Sequence, residues 1–411
     1  MTPNSCRFCD APLNHLFADL GKTPLANSYI SPDAADRPEP VYPLRVFVCE
    51  ECWLVQAEAF ASPDDIFTDY AYFSSFSDSW VEHARRFTIS AIERFGLSSS
   101  SQVIEVASND GYLLRHFVER NIPSLGIEPA QNVAEVARAA GVPTEARFFG
   151  VDTAMDLQQR DLGADLVVGN NVFAHVPDIN NFVGGLAAVL KPDGVVSLEF
   201  PHLLQLIRNV QFDTIYHEHF YYLSLLAVEK VLRRHGLKVF DVEELPTHGG
   251  SIRVMASLAN APTHRGTTER VLKVQRDELD GGLGEVSTYI GFQNTILPIK
   301  DDLISFLNTA RAQGMKVAAY GAAAKGNTLL NFCGVGRDLI EVAVDRSPYK
   351  QGRLLPGSRI PIRPPEVLPT VRPDFVLILP WNIQEEIIAS NDISAWGGKY
   401  VVAVPQLKVV T

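Results

Sequence analysis

Long apolar runs are missing from this sequence. No stretch is apolar for long enough to span a bilayer, and the first residues carry no basic segment followed by an apolar one. The expectation is a soluble, cytoplasmic protein. Positive charge is also in short supply: 36 Lys and Arg stand against 48 Asp and Glu, for a formal net charge of -12. That balance argues against a nucleic-acid surface and against adhesion to anionic membranes, although a phosphate-bearing small molecule needs only one local cationic site. No fixed-period repeat or low-complexity tract interrupts the chain. Its 411 residues predict two or three domains, with enough apolar surface for a large core.

Cysteine is scarce, which makes its placement informative. Of five cysteines, four form two C-x2-C knuckles, Cys6/Cys9 and Cys49/Cys52. Thiolates two residues apart can face one tetrahedral ion, so two knuckles close a four-sulfur site. Four thiolates leave no open coordination position, which predicts structural rather than catalytic Zn2+. Cys333 stands alone and reads as a small buried hydrophobe.

The glycine fingerprint of dinucleotide folds, G-x-G-x-x-G, is absent as well, which weighs against a nicotinamide oxidoreductase. What is present is a regular alternation of strands and helices. An amphipathic helix is expected over Trp80–Phe95. Strands are expected at Val103–Val106, Leu125–Glu128, Ala146–Phe149, Leu166–Gly169, Val195–Phe200, Val239–Val242 and Ile252–Ser257. The last two are joined by a short turn at His248-Gly249-Gly250. Seven strands ending in a hairpin give an α/β fold with the layout of class I methyltransferases, a Rossmann-like sheet. Long helices follow over 266–313. A second, smaller Rossmann-like unit has strands at Val317–Tyr320, Glu341–Val344, Phe375–Leu379 and Tyr400–Val404. The expected division is a zinc-binding lobe over 1–70, a methyltransferase domain over 71–260, and a helical connection with the C-terminal Rossmann-like domain over 261–411.

Between the first strand and its helix, Glu105 to Gly111 form a tight turn, and Glu128 ends the next strand, placed to accept hydrogen bonds from ribose hydroxyls. Asn170 and Asn171 follow the fourth strand. The densest group of reactive side chains is Tyr216-His217-Glu218-His219-Phe220, followed by Tyr221 and Tyr222. An imidazole beside a carboxylate can take a proton near neutral pH, and a tyrosine can donate to a developing oxyanion. The two histidines lie too close together for a zinc protease motif. The plainer reading is a polar loop capping a helix that begins near Ser224. Gly321 to Lys325 open a helix after a strand, where backbone donors and one ammonium suit a diphosphate; a tight turn with a solvated lysine is the plainer reading there. Arg253, on the last strand of the central sheet, is a weaker candidate that a half-exposed position would also explain.

The two knuckles, the E-x5-G loop at 105–111, the Tyr-His-Glu-His-Phe run, His248-Gly249-Gly250 and Tyr-Gly-Ala-Ala-Ala-Lys at 320–325 together resemble the sugar C-methyltransferase family, over essentially the whole chain. The resemblance implies S-adenosyl-L-methionine as cofactor and a nucleotide-linked 4-keto-deoxysugar, with dTDP as carrier, as the partner methylated at C3, in antibiotic or O-antigen sugar pathways. It implies Tyr72, His175, Tyr216, Glu218 and His219 as active-site groups. His219 would be the base, with Glu218 holding or tuning it and Tyr216 and Tyr72 donating to the enolate oxygen. His217 is the local rival. It implies Glu105, Ala107, Asn109, Gly111, Glu128, Asn170 and Asn171 at the cofactor, with Ala107 replacing the usual glycine. The resemblance also implies that the C-terminal domain over 261–411 is substrate-binding, and Tyr222, His248, Arg253, Tyr320, Gly321, Lys325 and Asn331 would face the substrate. His217 stands where one branch of the family has Asp, which leaves the sugar open. Methylation of oxygen or nitrogen is the alternative, because the same base could deprotonate a hydroxyl.

Overall fold

The computed structural model describes residues 5–58 and 73–410. In chain order the strands are β1 His15–Thr23, β2 Tyr42–Val48, β3 Val55–Ala57, β4 Val103–Val106, β5 Ser124–Ile127, β6 Thr144–Glu145, β7 Ala164–Asn170, β8 Leu190–Pro201, β9 Tyr221–Tyr222, β10 Leu237–Leu245, β11 Ser251–Leu258, β12 Val317–Tyr320, β13 Ala343–Val344, β14 Ile362–Arg363, β15 Phe375–Ile378, β16 Lys399–Val402 and β17 Lys408–Val410. They form three sheets among the described residues.

The central sheet has the order β10-β11-β8-β7-β4-β5-β6. Its strands are parallel except β11, which runs antiparallel to both neighbours. This is the class I methyltransferase order. β4 is four consecutive buried residues, three of them β-branched, as a strand covered on both faces should be. The helix Asp78–Phe95 is capped by Ser77, whose side chain accepts from Trp80 N, and ends at Gly96 with φ 63°. Its buried stripe of Ala84, Phe87, Thr88 and Ala91 packs toward the sheet. One expected strand is misplaced: the third ends at Glu145 rather than running over Ala146–Phe149. Beyond Glu145, Arg147 turns into ion pairs with Glu145 and Asp156, and Phe148 is 50% exposed, so neither residue supplies a core position.

Helices Glu269–Asp280 and Val286–Ala312 lead to the third sheet, ordered β14-β13-β12-β15-β16-β17. It is parallel except for β17. The N-terminal sheet runs β1-β2-β3-β9. Its fourth strand comes from Tyr221 and Tyr222, so the zinc-knuckle sheet is completed by the residues that follow the histidine run. Among the described residues, no helix is long and apolar enough to cross a membrane.

Candidate active site

The four cysteine sulfurs lie within 4.8 Å of one another, with Cys6–Cys52 at 3.6 Å and Cys9–Cys49 at 3.5 Å. A tetrahedral zinc with Zn–S near ~2.3 Å needs sulfurs roughly 3.8 Å apart, so this cluster fits the ion. Gln56 Nε2 donates to Cys6 Sγ at 3.2 Å, a hydrogen bond of the kind that tunes metal thiolates. Arg7, between the first two cysteines, reaches the carbonyls of Ala57 and Phe220, each at 2.8 Å. The knuckle is thereby tied to the histidine run.

At the carboxyl edge of the central sheet, the loop after β4 takes an unusual backbone path. Ala107 has φ 55°, Asn109 49° and Gly111 77°. Ala107 therefore holds a left-handed conformation that glycine adopts without strain. Asn109 Oδ1 accepts from Ser74 N at 2.9 Å and Asp110 Oδ2 from Ser75 N at 3.0 Å, so these two side chains clasp the segment ahead of the first helix. Glu128 braces the loop, accepting from Asn109 N and Ala130 N, both at 2.9 Å. Around this edge Glu105 Oε2, Ser108 Oγ, Asp110 Oδ1, Asn171 Oδ1 and both polar atoms of Asn170 are buried with no partner among the described residues. Each such atom costs about 1–3 kcal/mol if left unmet, so the edge is built for a polar ligand. Burial pushes the Glu105 carboxyl well above the usual range, helped by Asp110 and Glu128.

The histidine run folds over the same edge. Ser224 does cap the helix Leu225–Arg234, as a polar cap would, but the residues before it turn inward. His219 is half-buried. Its Nδ1 donates to the Thr214 carbonyl at 2.8 Å. A carbonyl accepts only, so Nδ1 carries the proton and Nε2 keeps a lone pair. Nε2 has no hydrogen-bond partner among the described residues. His175, in the turn Phe173–His175 after β7, donates from Nδ1 to the Glu218 carbonyl at 2.8 Å. The two imidazoles lie edge to face with centroids 4.7 Å apart, and Tyr216 packs on His219 at 3.9 Å. Desolvation drops His175 to about 4. It also holds His219 well below the usual imidazole range, with His175 adding to the effect. Both rings are neutral at neutral pH.

Glu218 does not hold His219. Its carboxyl accepts from Asn27 Nδ2 at 3.1 Å, and burial raises its pKa. What it gives the site is its main-chain carbonyl, bonded to His175. His217 points away: Nε2 donates to the Pro43 carbonyl at 3.1 Å, and the ring lies edge-on to Tyr42. Tyr222 sits 6.2 Å from the His219 ring with its hydroxyl buried. Tyr72 lies outside the described residues.

His248 enters from the turn between β10 and β11 with φ 54°, accepting from Asn171 Nδ2 at 3.0 Å. Burial lowers it to about 4, and the Lys325 charge contributes. Arg253 is not half-exposed. It is buried at 5% and committed to Glu199 at 2.6 Å and Glu243 at 2.8 Å, over the Phe87 ring. Glu199 also binds His83 at 2.9 Å and accepts from Thr247 Oγ1 at 3.1 Å, so Arg253 helps brace the His248 turn. Asn331 donates to the Asn327 and Pro356 carbonyls at 2.7 and 3.1 Å, a loop brace. Tyr320 ends β12 with its hydroxyl buried and without a partner among the described residues, and Gly321 follows at φ 94°. Lys325 donates to Asn382 Oδ1 at 2.8 Å and rests over the Trp381 ring. Its charge contributes to the lowered pKa of both His219 and His248.

The sequence reading missed Asp213, Asn27, Trp381 and Asn382. For the last two a signal existed: they follow β15 at the carboxyl edge of a parallel sheet, where ligand-binding loops lie.

Strand order, the orphaned polar edge and the inward histidines define a class I methyltransferase. Three family models match in sequence: "Putative zinc binding domain" over 6–67, "Methyltransferase domain" over 80–242 and "C-methyltransferase C-terminal domain" over 246–405. C-methyltransferase NovU of Streptomyces niveus is 36% identical over 409 residues, 99% of this chain and 97% of that protein. The chain belongs to this C-methyltransferase family. An uncharacterized methyltransferase of Mycobacterium leprae is 29% identical over 98 residues, 24% of this chain and 36% of that protein. The PH0226 protein of Pyrococcus horikoshii OT3 aligns with 49% of this chain and 100% of its own, at 13% identity and a TM-score of 0.37. The enzyme is thus an S-adenosylmethionine-dependent C-methyltransferase with a structural zinc site. Oxygen or nitrogen methylation and nicotinamide oxidoreduction are set aside by the family.

Proposed function

We propose that the enzyme methylates C3 of a nucleotide-linked 4-keto-deoxysugar, with dTDP as carrier, through an enolate made by His219. The observation that carries this reading is the pair of neutral imidazoles, each with Nδ1 tied to a carbonyl, at the cofactor edge of the sheet. Carbon methylation needs a carbanion equivalent, and a ketone beside the carbon supplies one once a base removes the proton. His219 Nε2 takes that proton from C3, and the electron pair moves onto the ketone oxygen. Tyr216, Tyr72 and Tyr222 are the candidate donors to that oxygen. His175 fixes the pocket wall. Bound S-adenosylmethionine supplies an electrophilic methyl group, held by the 105–111 loop, Glu128, Asn170 and Asn171. C3 takes the methyl group as the enolate reverts to the ketone; the bond from that methyl to the sulfonium sulfur would break with its electron pair left on sulfur, and S-adenosylhomocysteine would leave. Lys325, Gly321 and Tyr320 are assigned to the diphosphate end of the substrate and His248 to the sugar. Arg253 supports the His248 turn and Asn331 supports the helix Ala324–Cys333. The units 1–70, 71–260 and 261–411 then correspond to zinc lobe, cofactor domain and substrate domain, meeting at this site.

The test is methyl transfer from labelled S-adenosylmethionine to a panel of dTDP-sugars, read by mass spectrometry. Label should enter the ring carbon of 4-keto-deoxysugars and not their 4-hydroxy counterparts. Equal transfer to both would refute the ketone-dependent mechanism.

A further inference from the structure

Trp381 makes three contacts that no feature of its own loop explains. Its Nε1 donates to Asp213 Oδ2 at 2.7 Å. Lys325 Nζ lies 4.6 Å from its ring centroid. Its far edge fills the space beside Gly249, where a Cβ would come within 2.4 Å of Cη2. Both glycines of the His248-Gly249-Gly250 turn take positive φ, 88° and 115°, and at Gly249 an indole from the C-terminal unit also fits against the turn. Gln211 Nε2 closes the junction by donating to the Gly249 carbonyl at 2.7 Å. Within the C-terminal unit, Gly321 takes φ 94° and admits Pro380, the residue before Trp381, since a Cβ there would meet Pro380 Cδ at 2.4 Å.

Asp213 is fully buried, and its Oδ1 has no partner among the described residues. A carboxylate is expensive in such a place unless a cation is near. Lys325 is that cation, acting across the indole rather than in a direct ion pair, and the ammonium over the ring gains from the quadrupole as well. Burial lifts Asp213 to about 6 and lowers Lys325 to about 8, and each charge opposes the other's shift. Lys325 is faced by Asp213 from the turn Phe212–Thr214, by Trp381 and Asn382 from the loop after β15, and by His248 and His219 across the site.

We propose that Asp213 and Trp381 are a positioning pair that seats Lys325 as a cation facing the methyl-transfer site. The proposal rests on the reading that Lys325 faces the substrate. Asp213 supplies the compensating charge, and Trp381 supplies the surface that fixes where the ammonium points. Neither touches the reacting atoms.

Competitive trace acetylation of the full-length protein, followed by mass spectrometry of the Lys325 peptide across a pH series, reads the state of this amine without substrate. Lys399, exposed at the start of β16, is the internal reference. Asp213→Asn keeps an acceptor for the indole and removes the charge, so Lys325 loses protons at lower pH. At pH 7 its reactivity should rise about fivefold, the consequence of a one-unit fall from about 8. Trp381→Phe keeps a ring but loses the N–H bond, and should raise Lys325 reactivity while raising KM more than it lowers kcat. The alkaline limb of kcat/KM should move to lower pH in Asp213→Asn. Unchanged Lys325 reactivity in both variants overturns the proposal, as does an unmoved alkaline limb. If Asp213→Asn fails to fold, Trp381→Phe alone decides. Lys325→Met separates the two levels: full turnover in that variant removes Lys325 from the substrate site, whatever the labelling shows.

Discussion

Replacing His219 by Asn tests the proposed base most sharply, because the structure allows its two roles to be separated. The Nδ1 proton is used locally, in the 2.8 Å bond to the Thr214 carbonyl. An Asn side-chain amide can reproduce that donation. What it cannot reproduce is the lone pair at Nε2. The expected loss in turnover is therefore that of a general base, about 10²–10⁴-fold, or about 2.7–5.5 kcal/mol of barrier. The loss in stability should be smaller, on the order of 1 kcal/mol, from the ring contacts with Tyr216 and His175. His217→Asn should behave in the opposite way. Its ring is spent on the Pro43 carbonyl and Tyr42, so stability falls by about 1–2 kcal/mol while turnover stays within a few-fold. The assay is exchange of the C3 proton of a dTDP-4-keto-deoxysugar in heavy water, without methyl donor, followed as a gain of one mass unit. Wild type and His217→Asn should exchange, and His219→Asn should not. Normal exchange in His219→Asn together with loss in His217→Asn would refute the assignment. The pH profile gives a second check. A base must be unprotonated to act, and desolvation holds His219 neutral to lower pH than a solvated imidazole. The acid limb of kcat/KM should therefore fall well below the usual histidine range, and a limb at the ordinary value would contradict the buried geometry.

Metal analysis should give about one zinc per chain, and a chelator should lower both the melting temperature and turnover, since Arg7 and β3 hold Phe220 to Tyr222 from the knuckle side. A metal-free protein of unchanged stability would contradict the site. Glu128→Ala should weaken S-adenosylhomocysteine binding in calorimetry by about 1.5–3 kcal/mol, through the lost carboxylate and the loosened Asn109 and Ala130 amides; unchanged affinity would remove Glu128 from the cofactor site. Ala107→Gly should change stability by less than about 1 kcal/mol, because relief of the left-handed strain at φ 55° is offset by glycine's unfolded-state entropy. A thermal melt reads this, and a loss beyond about 2 kcal/mol would mean that the methyl group packs rather than strains.

The parts of this enzyme that are legible in its sequence are those in which one short segment carries its own constraint. Paired cysteines two residues apart have few uses besides a metal, and the sulfurs do converge. Short β-branched runs separated by helices dictate a parallel sheet, and the central strands fall where the pattern puts them, apart from the edge strand that stops at Glu145. The histidine run is conspicuous because polar residues are not placed so densely without a use. The partner of each side chain is what the sequence conceals. Glu218 adjoins His219 in the chain, and adjacency suggests an acid–imidazole pair. Yet consecutive side chains in a turn diverge, so Glu218 meets Asn27, from a segment 191 residues earlier, while His219 meets a carbonyl five residues back. Arg253 reads as a weaker candidate that a half-exposed position on the last strand would also explain, and it proves to be buried and neutralised by Glu199 and Glu243.

The same reasoning explains why Trp381 escapes a motif search. A tryptophan after a strand reads as core, and only its distance to Asp213, Gly249 and Lys325 shows that three separate stretches are shaped around it. Gly249 and Gly321 are conspicuous in the sequence as parts of short glycine-containing motifs; both take positive φ, and each also lies against this one loop, the first admitting Trp381 and the second Pro380. Glycines in a site are commonly read as room for a ligand. Here Gly249 makes room for the protein's own C-terminal unit, while Gly321 belongs to that unit and makes room for its Pro380; in the proposed reading this packing turns Lys325 toward the methyl-transfer site. Substituting Gly249 by Ala should therefore impair the enzyme as Trp381→Phe does, through the seating of Lys325, and should leave S-adenosylhomocysteine affinity in place. A Gly249→Ala variant that loses cofactor affinity and keeps wild-type Lys325 reactivity would show that the turn serves the cofactor instead.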